Sequence, residues 1–156
     1  MEEVVHQRKK QTSMKEEAVD QQVKAFLGKY ARANSSSDVS LIGSLYADAF
    51  MFAGPNGART VRKEDFLKII PKMKAYFASI GLSETCLHSV ETVAVDSKYL
   101  LAKAGWKMTV RDQNGDCRQL DAFATYVLER KDADTLCIVM QIDHQDLATL
   151  IRNHQN

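Results

Sequence analysis

Apolar residues recur every three or four positions in the first half of the chain and every second position in the latter half. From residue 17 onward Val19, Val23, Phe26, Leu27 and Tyr30 form one stripe, the pattern of an amphipathic helix with one face on a core. The run NSSSD at residues 34–38 offers side-chain oxygens that can cap a helix start. A second, short helix follows, with Val39, Ile42, Leu45 and Tyr46 as its buried face. Residues 50–53 read as an extended aromatic segment that ends at the turn GPNG, residues 54–57. Thr60 then offers the start of a third helix burying Phe66, Ile69, Ile70, Met73 and Phe77. Pro71 lies inside that helix and predicts either a kink over residues 67–71 or a split into two shorter helices.

Beyond Gly81 the period changes to two, and segments near 84–95, 99–111, 117–130 and 135–144 read as strands. Their short connectors, Asn114-Gly115 above all, suit hairpins, so an antiparallel meander is the simplest topology. Helices first and sheet second make an α+β chain. On the third of these segments Leu120, Ala122, Ala124, Tyr126 and Leu128 oppose Asp121, Phe123, Thr125 and Val127, and LCIVMQI (136–142) is apolar on both faces. Such a sheet needs cover on both sides, and the helices can cover one. The expectation is a homodimer paired through the outer sheet face.

A chain of 156 residues is long enough for one self-sufficient core. Residues 16–156 form that single domain, and the charged residues 1–15 are either a disordered lead-in or an extension of the first helix. Lys plus Arg total 21 against 20 for Asp plus Glu, a balance that disfavours electrostatic binding to nucleic acid or a membrane surface. Small apolar or amphipathic partners are favoured instead. No apolar run approaches the ~18 residues of a membrane span, and the first residues do not resemble a signal peptide, so the expected address is cytoplasmic. Cys86, Cys117 and Cys137 are odd in number and widely spaced, arguing against a disulfide framework or zinc knuckle. Cys86 and His88 are read as structural, and His154 is too remote in sequence from Asp143 and His144 to suggest a metal site. No cofactor is expected.

Three motifs carry a resemblance: KYARANSSSDVSLIGSLYADAFMFAGPNG (29–57), QLDAFATYVLER (119–130) and IVMQIDHQDL (138–147). Over about residues 19–147 the chain resembles the nuclear transport factor 2-like superfamily, in its SnoaL-like and ketosteroid isomerase-like branches. The resemblance implies three N-terminal helices on a strongly curved antiparallel sheet, a cone-shaped, cystatin-like roll with an apolar cavity. It also implies homodimers paired through the outer face of the sheet. Carried over residue by residue, Tyr30 falls where the isomerases have their oxyanion-hole tyrosine, and Asp121 where they have a neutral carboxylic acid donor. Gly54 falls where they have the catalytic carboxylate, so the usual base is missing, and two donors without a base could stabilise an enolate but not create it. Asp48 is read as pinning the turn into the aromatic segment.

The resulting expectation is a cavity protein binding a small apolar or amphipathic molecule. Tyr30, Asp121 and Asp143 would be its polar contacts, and Phe52, Trp106 and Phe123 its apolar ones. Each has a plainer alternative: Tyr30 as a core residue, Asp121 in a surface salt bridge, the aromatics as core. Phe50 and Met108 stand with these aromatics. Of Asp143 and His144, at most one can point inward. Two other functions stay open: a dimerisation or docking module with an idle cavity, and a SnoaL-like cyclase, hydratase or isomerase using Asp143. The residues leave undecided whether any reaction is catalysed.

Overall fold

The computed structural model describes residues 1–36 and 38–155, without the side chain of Thr12. The elements run α1 (Glu2–Ser35), α2 (Val39–Gly43), β1 (Tyr46–Gly54), β2 (Gly57–Arg62), α3 (Lys63–Ser79), β3 (Leu82–Ala94), β4 (Tyr99–Arg111), β5 (Cys117–Arg130), β6 (Leu136–Asp143) and α4 (Leu147–Asn153). The strands form one sheet in the order β2-β1-β6-β5-β4-β3. The β1–β6 pair is parallel, and the other pairs are antiparallel. The helices pack on this curved, unclosed sheet. Register shifts in β1, β3 and at Val127/Leu128 supply local bends.

The meander β3 to β6 is the one the period-two pattern predicts, and β4 and β5 have the bounds read from the sequence. The open alternatives at residues 1–15 and at Pro71 narrow, and two local expectations are corrected. Residues 2–15 continue α1 as exposed helix. α2 ends at Gly43, so Leu45 lies in the connecting turn and Tyr46 begins β1. Thr60 lies in β2, because the GPNG turn folds the chain back as a hairpin in which Met51 faces Thr60; α3 begins only at Lys63. Pro71 neither splits α3 nor ends it, and it lies exposed on the helix surface. α4, unforeseen, is capped by the Asp146 side chain, which accepts from the Thr149 N–H.

The core lies between the helices and the inner face of the sheet. Val23, Phe26 and Leu27 of α1 join Ile42, Phe50, Leu100, Tyr126, Leu128 and Ile138 in the larger cluster. A smaller cluster, Met108, Val110, Leu120, Ala122 and Ile151, is closed by α4 at the other end of the sheet. Between them the inner face is not filled.

Candidate functional site

Side-chain size along β5 explains the unfilled space. Its inward residues are Leu120, Ala122, Ala124, Tyr126 and Leu128, and the two alanines are too short to meet the helices. They border a cavity of about 1120 Å³ bounded by α1, α3, the GPNG turn and the start of α4. Its walls are mainly apolar, with Phe52, Phe66, Ile70, Phe77, Trp106 and Met108, and include the charged Arg59, Lys74, Glu84 and Asp146.

Buried polar groups gather at one place. The Tyr46 hydroxyl donates to Gln141 Oε1 at 2.6 Å, and Gln141 Nε2 donates to Asp143 Oδ1 at 3.1 Å. The hydroxyls of Tyr30 and Tyr46 are 3.3 Å apart. A phenol has one proton, and the shorter contact to Gln141 takes it, so the 3.3 Å contact to Tyr30 is the weaker of the two. The result is a hydrogen-bond chain, directional from Tyr46 through Gln141 to Asp143, with Tyr30 at its head. Gln141 and Asp143 share a strand face, and Tyr126 lies across from Gln141 on β5.

Burial raises the Tyr30 phenol above its ordinary pKa and pushes those of Tyr46 and Tyr126 well above it. All three stay neutral, as donors require. Burial also raises the Asp143 carboxyl, against the opposing effects of the Gln141 hydrogen bond and nearby His144. Tyr30 is further held by rings, 5.8 Å from Trp106 and 5.7 Å from Tyr126 between centroids.

The cavity brings together Tyr30, Phe52, Trp106 and Asp143. Asp121 does not enter it. Leu120 and Ala122 point inward, so Asp121 points outward; its side chain is 60% exposed and paired with Lys107 of β4 at 3.0 Å. The surface salt bridge is its role. Phe123 also borders the cavity, while its ring reaches the outer face of the sheet. There it covers Gly105, its cross-strand partner, and Lys103 Nζ stands 5.4 Å from the ring centre. Gly105 has no side chain to pack, and the ring occupies that space.

His144 turns away from Asp143, its Nε2 being 2.7 Å from Thr125 Oγ1. Cys86 and His88 are both exposed. Among the described residues no group of His, Cys, Asp and Glu is placed to hold a metal ion. Gly54 borders the cavity beside Asp143; a Cβ on it would lie 3.8 Å from the Asp143 carbonyl. Gly54 and Asp143 are thus neighbours at the cavity wall, one on β1 and the other on β6. Asp48 is paired with Lys63 at 3.5 Å, tying β1 to the start of α3.

Tyr46, Tyr126 and Gln141 were not anticipated as site residues. The available signal was Gln141 itself, a polar residue in an apolar strand, two positions from Asp143.

Residues 15–145 match the family model described as NTF2-like protein (DUF6841). The chain belongs to this NTF2-like family. Solved structures agree on the fold of the NTF2-like protein. An NTF2-like protein with a cystatin-like fold from Novosphingobium aromaticivorans is 10% identical, with 90% of this chain and 92% of that one covered and a TM-score of 0.68. An NTF-2 like protein of unknown function from Shewanella oneidensis MR-1 is 15% identical, with 81% and 98% covered and a TM-score of 0.62. A ketosteroid isomerase-like protein from Erwinia carotovora atroseptica is 12% identical, with 81% and 92% covered and a TM-score of 0.58. At such identities the likeness concerns fold alone. No curated protein matches the chain. Among the described residues of the NTF2-like protein, no helix is long and apolar enough to cross a membrane.

Proposed function

We propose that this protein binds one small apolar or amphipathic molecule in the cavity between α1, α3 and the sheet. The observation that carries the reading is the cavity itself, about 1120 Å³ with aromatic and aliphatic walls and its buried polar groups gathered along one chain. Binding sites for small molecules combine these two features. Trp106 is the chain's single tryptophan and lines the cavity, so its emission reports occupancy. Titration with the uncharged probe N-phenyl-1-naphthylamine is expected to change that emission in a saturable, one-site manner. Ala124→Phe, which fills the space, is expected to weaken the probe at least about tenfold, while Asp121→Asn leaves it unchanged. Equal binding by the Ala124→Phe protein would place the probe elsewhere and remove the reading, leaving docking of another protein as the alternative.

A second reading concerns assembly, and we propose a homodimer through the outer sheet face. Val93, Met51 and Phe123 are 60, 40 and 38% exposed there. Leu101, Val127, Met140 and Ile142 lie half-buried on the same face. Apolar area of this kind on an otherwise polar surface is the common mark of an interface. Size-exclusion chromatography with light scattering should give twice the chain mass at micromolar concentration; a monomer would refute the dimer.

A further inference from the structure

Asp143 is the one carboxylate joined to the cavity's buried hydrogen-bond chain, and the direction of that chain restricts what it can accept. Two links have a fixed direction: Tyr46 donates to Gln141 Oε1, and Gln141 Nε2 donates to Asp143 Oδ1, with the Tyr30 hydroxyl 3.3 Å from that of Tyr46. Asp143 is the terminus. As a carboxylate it can only accept, and its second oxygen has no hydrogen-bond partner among the described residues. No cation pairs with it either. His144, the neighbouring basic group, directs its ring to Thr125 on the other face, Lys74 donates to the Ser36 carbonyl, and Arg59 lies exposed on β2 at the rim. Burial raises this carboxyl, with the Gln141 hydrogen bond and nearby His144 acting the other way, and a cationic partner in the cavity would favour its charged form further. Tyr30, Tyr46 and Tyr126 lie close enough to feel its charge, and aromatic faces attract positive charge.

Resting on the cavity reading above, we propose that the ligand is an apolar amine, bound as its ammonium ion. Its hydrocarbon body occupies the space beside Ala122 and Ala124, and its nitrogen donates to the unpartnered oxygen of Asp143 among the tyrosine rings. One ligand charge then satisfies the acceptor at the end of the chain and supplies the missing countercharge. A carboxylate ligand would face like charge at the same point, and a neutral alcohol would supply the hydrogen bond without the countercharge.

The test uses three molecules with one apolar body, 4-butylbenzylamine, 4-butylbenzyl alcohol and 4-butylbenzoate, titrated into the full-length protein at pH 7. Binding is followed by Trp106 emission and by calorimetry. The amine is expected to bind at least about tenfold tighter than the alcohol, with the benzoate weakest, in keeping with the greater strength of hydrogen bonds to charged groups. In Asp143→Asn the amine's advantage over the alcohol should fall to about twofold or less, because an amide has no charge to pair. If the alcohol or the benzoate binds the wild-type protein as tightly as the amine, the amine assignment is wrong and the cavity reading stands. If none of the three binds up to millimolar concentration, both fail. The wild-type series decides the matter even where the variant does not fold.

Discussion

Gly81→Ala is expected to destabilise the protein by about 2–4 kcal/mol, the sum of backbone strain and a steric conflict. Gly81 sits at the corner between α3 and β3 with φ of +107°. An L side chain rarely adopts that conformation. A Cβ there would also lie 2.3 Å from the Arg111 carbonyl oxygen and 2.6 Å from Gln155 Nε2. The carbonyl belongs to the backbone and cannot swing aside, because Arg111 N–H is already bonded to the Gly81 carbonyl at 2.8 Å. Gly57 is the internal control. Its φ is +124° but nothing lies within 4 Å of an added Cβ, so Gly57→Ala should show strain alone, about 1–2 kcal/mol. Urea denaturation followed by circular dichroism measures both. Equal losses in the two variants would show that the Arg111 contact yields freely, contrary to this argument.

Tyr46→Phe should cost about 1–3 kcal/mol, since it leaves a buried acceptor without its donor. The Tyr46 hydroxyl supplies the 2.6 Å bond to Gln141 Oε1, and Gln141 is only 7% exposed. Tyr30→Phe removes the longer 3.3 Å contact to Tyr46 and the weaker ones to Tyr126 and Gln141, from a less buried residue, and should cost about 1 kcal/mol or less. The cause is separable by a double-mutant cycle with Gln141→Leu. Taking away both partners should destabilise by clearly less than the sum of the single losses, because no orphaned amide oxygen remains. Strict additivity would mean that the Tyr46–Gln141 bond contributes nothing to the fold. The same pair holds Gln141 with its amide nitrogen toward Asp143, so loss of stability and loss of ligand discrimination should travel together in Tyr46→Phe.

Much of the architecture was legible along the chain, and particular residues show why. Val19, Val23, Phe26 and Leu27 announce α1 by spacing alone, and the alternation from Leu120 to Leu128 announces β5. The β1–β2 hairpin was half-legible. GPNG marked its turn, but GARTVR is short and polar, and its pairing with β1 supplies the order that its own composition does not. The cavity was less legible still. Tyr30, Phe52, Trp106 and Asp143 were named from the chain and line it, whereas Tyr46 was read as the end of α2 and Gln141 as part of an apolar run.

The sequence by itself determined where helix gives way to strand, which residues alternate together, and that Asp143 and His144 oppose one another, because these follow from the local geometry of a few successive residues. Tertiary structure decided which of the two faces of β5 is the inside. Both carry apolar residues, so alternation cannot choose, and a shift of one position separates the inward Ala122 and Ala124 from the outward Asp121 and Phe123. It also decided the Tyr46–Gln141 bond, which joins residues 95 positions apart through the parallel pairing of β1 with β6. Contacts of that range depend on how the whole sheet orders its strands and bends, and no short window of residues contains that information.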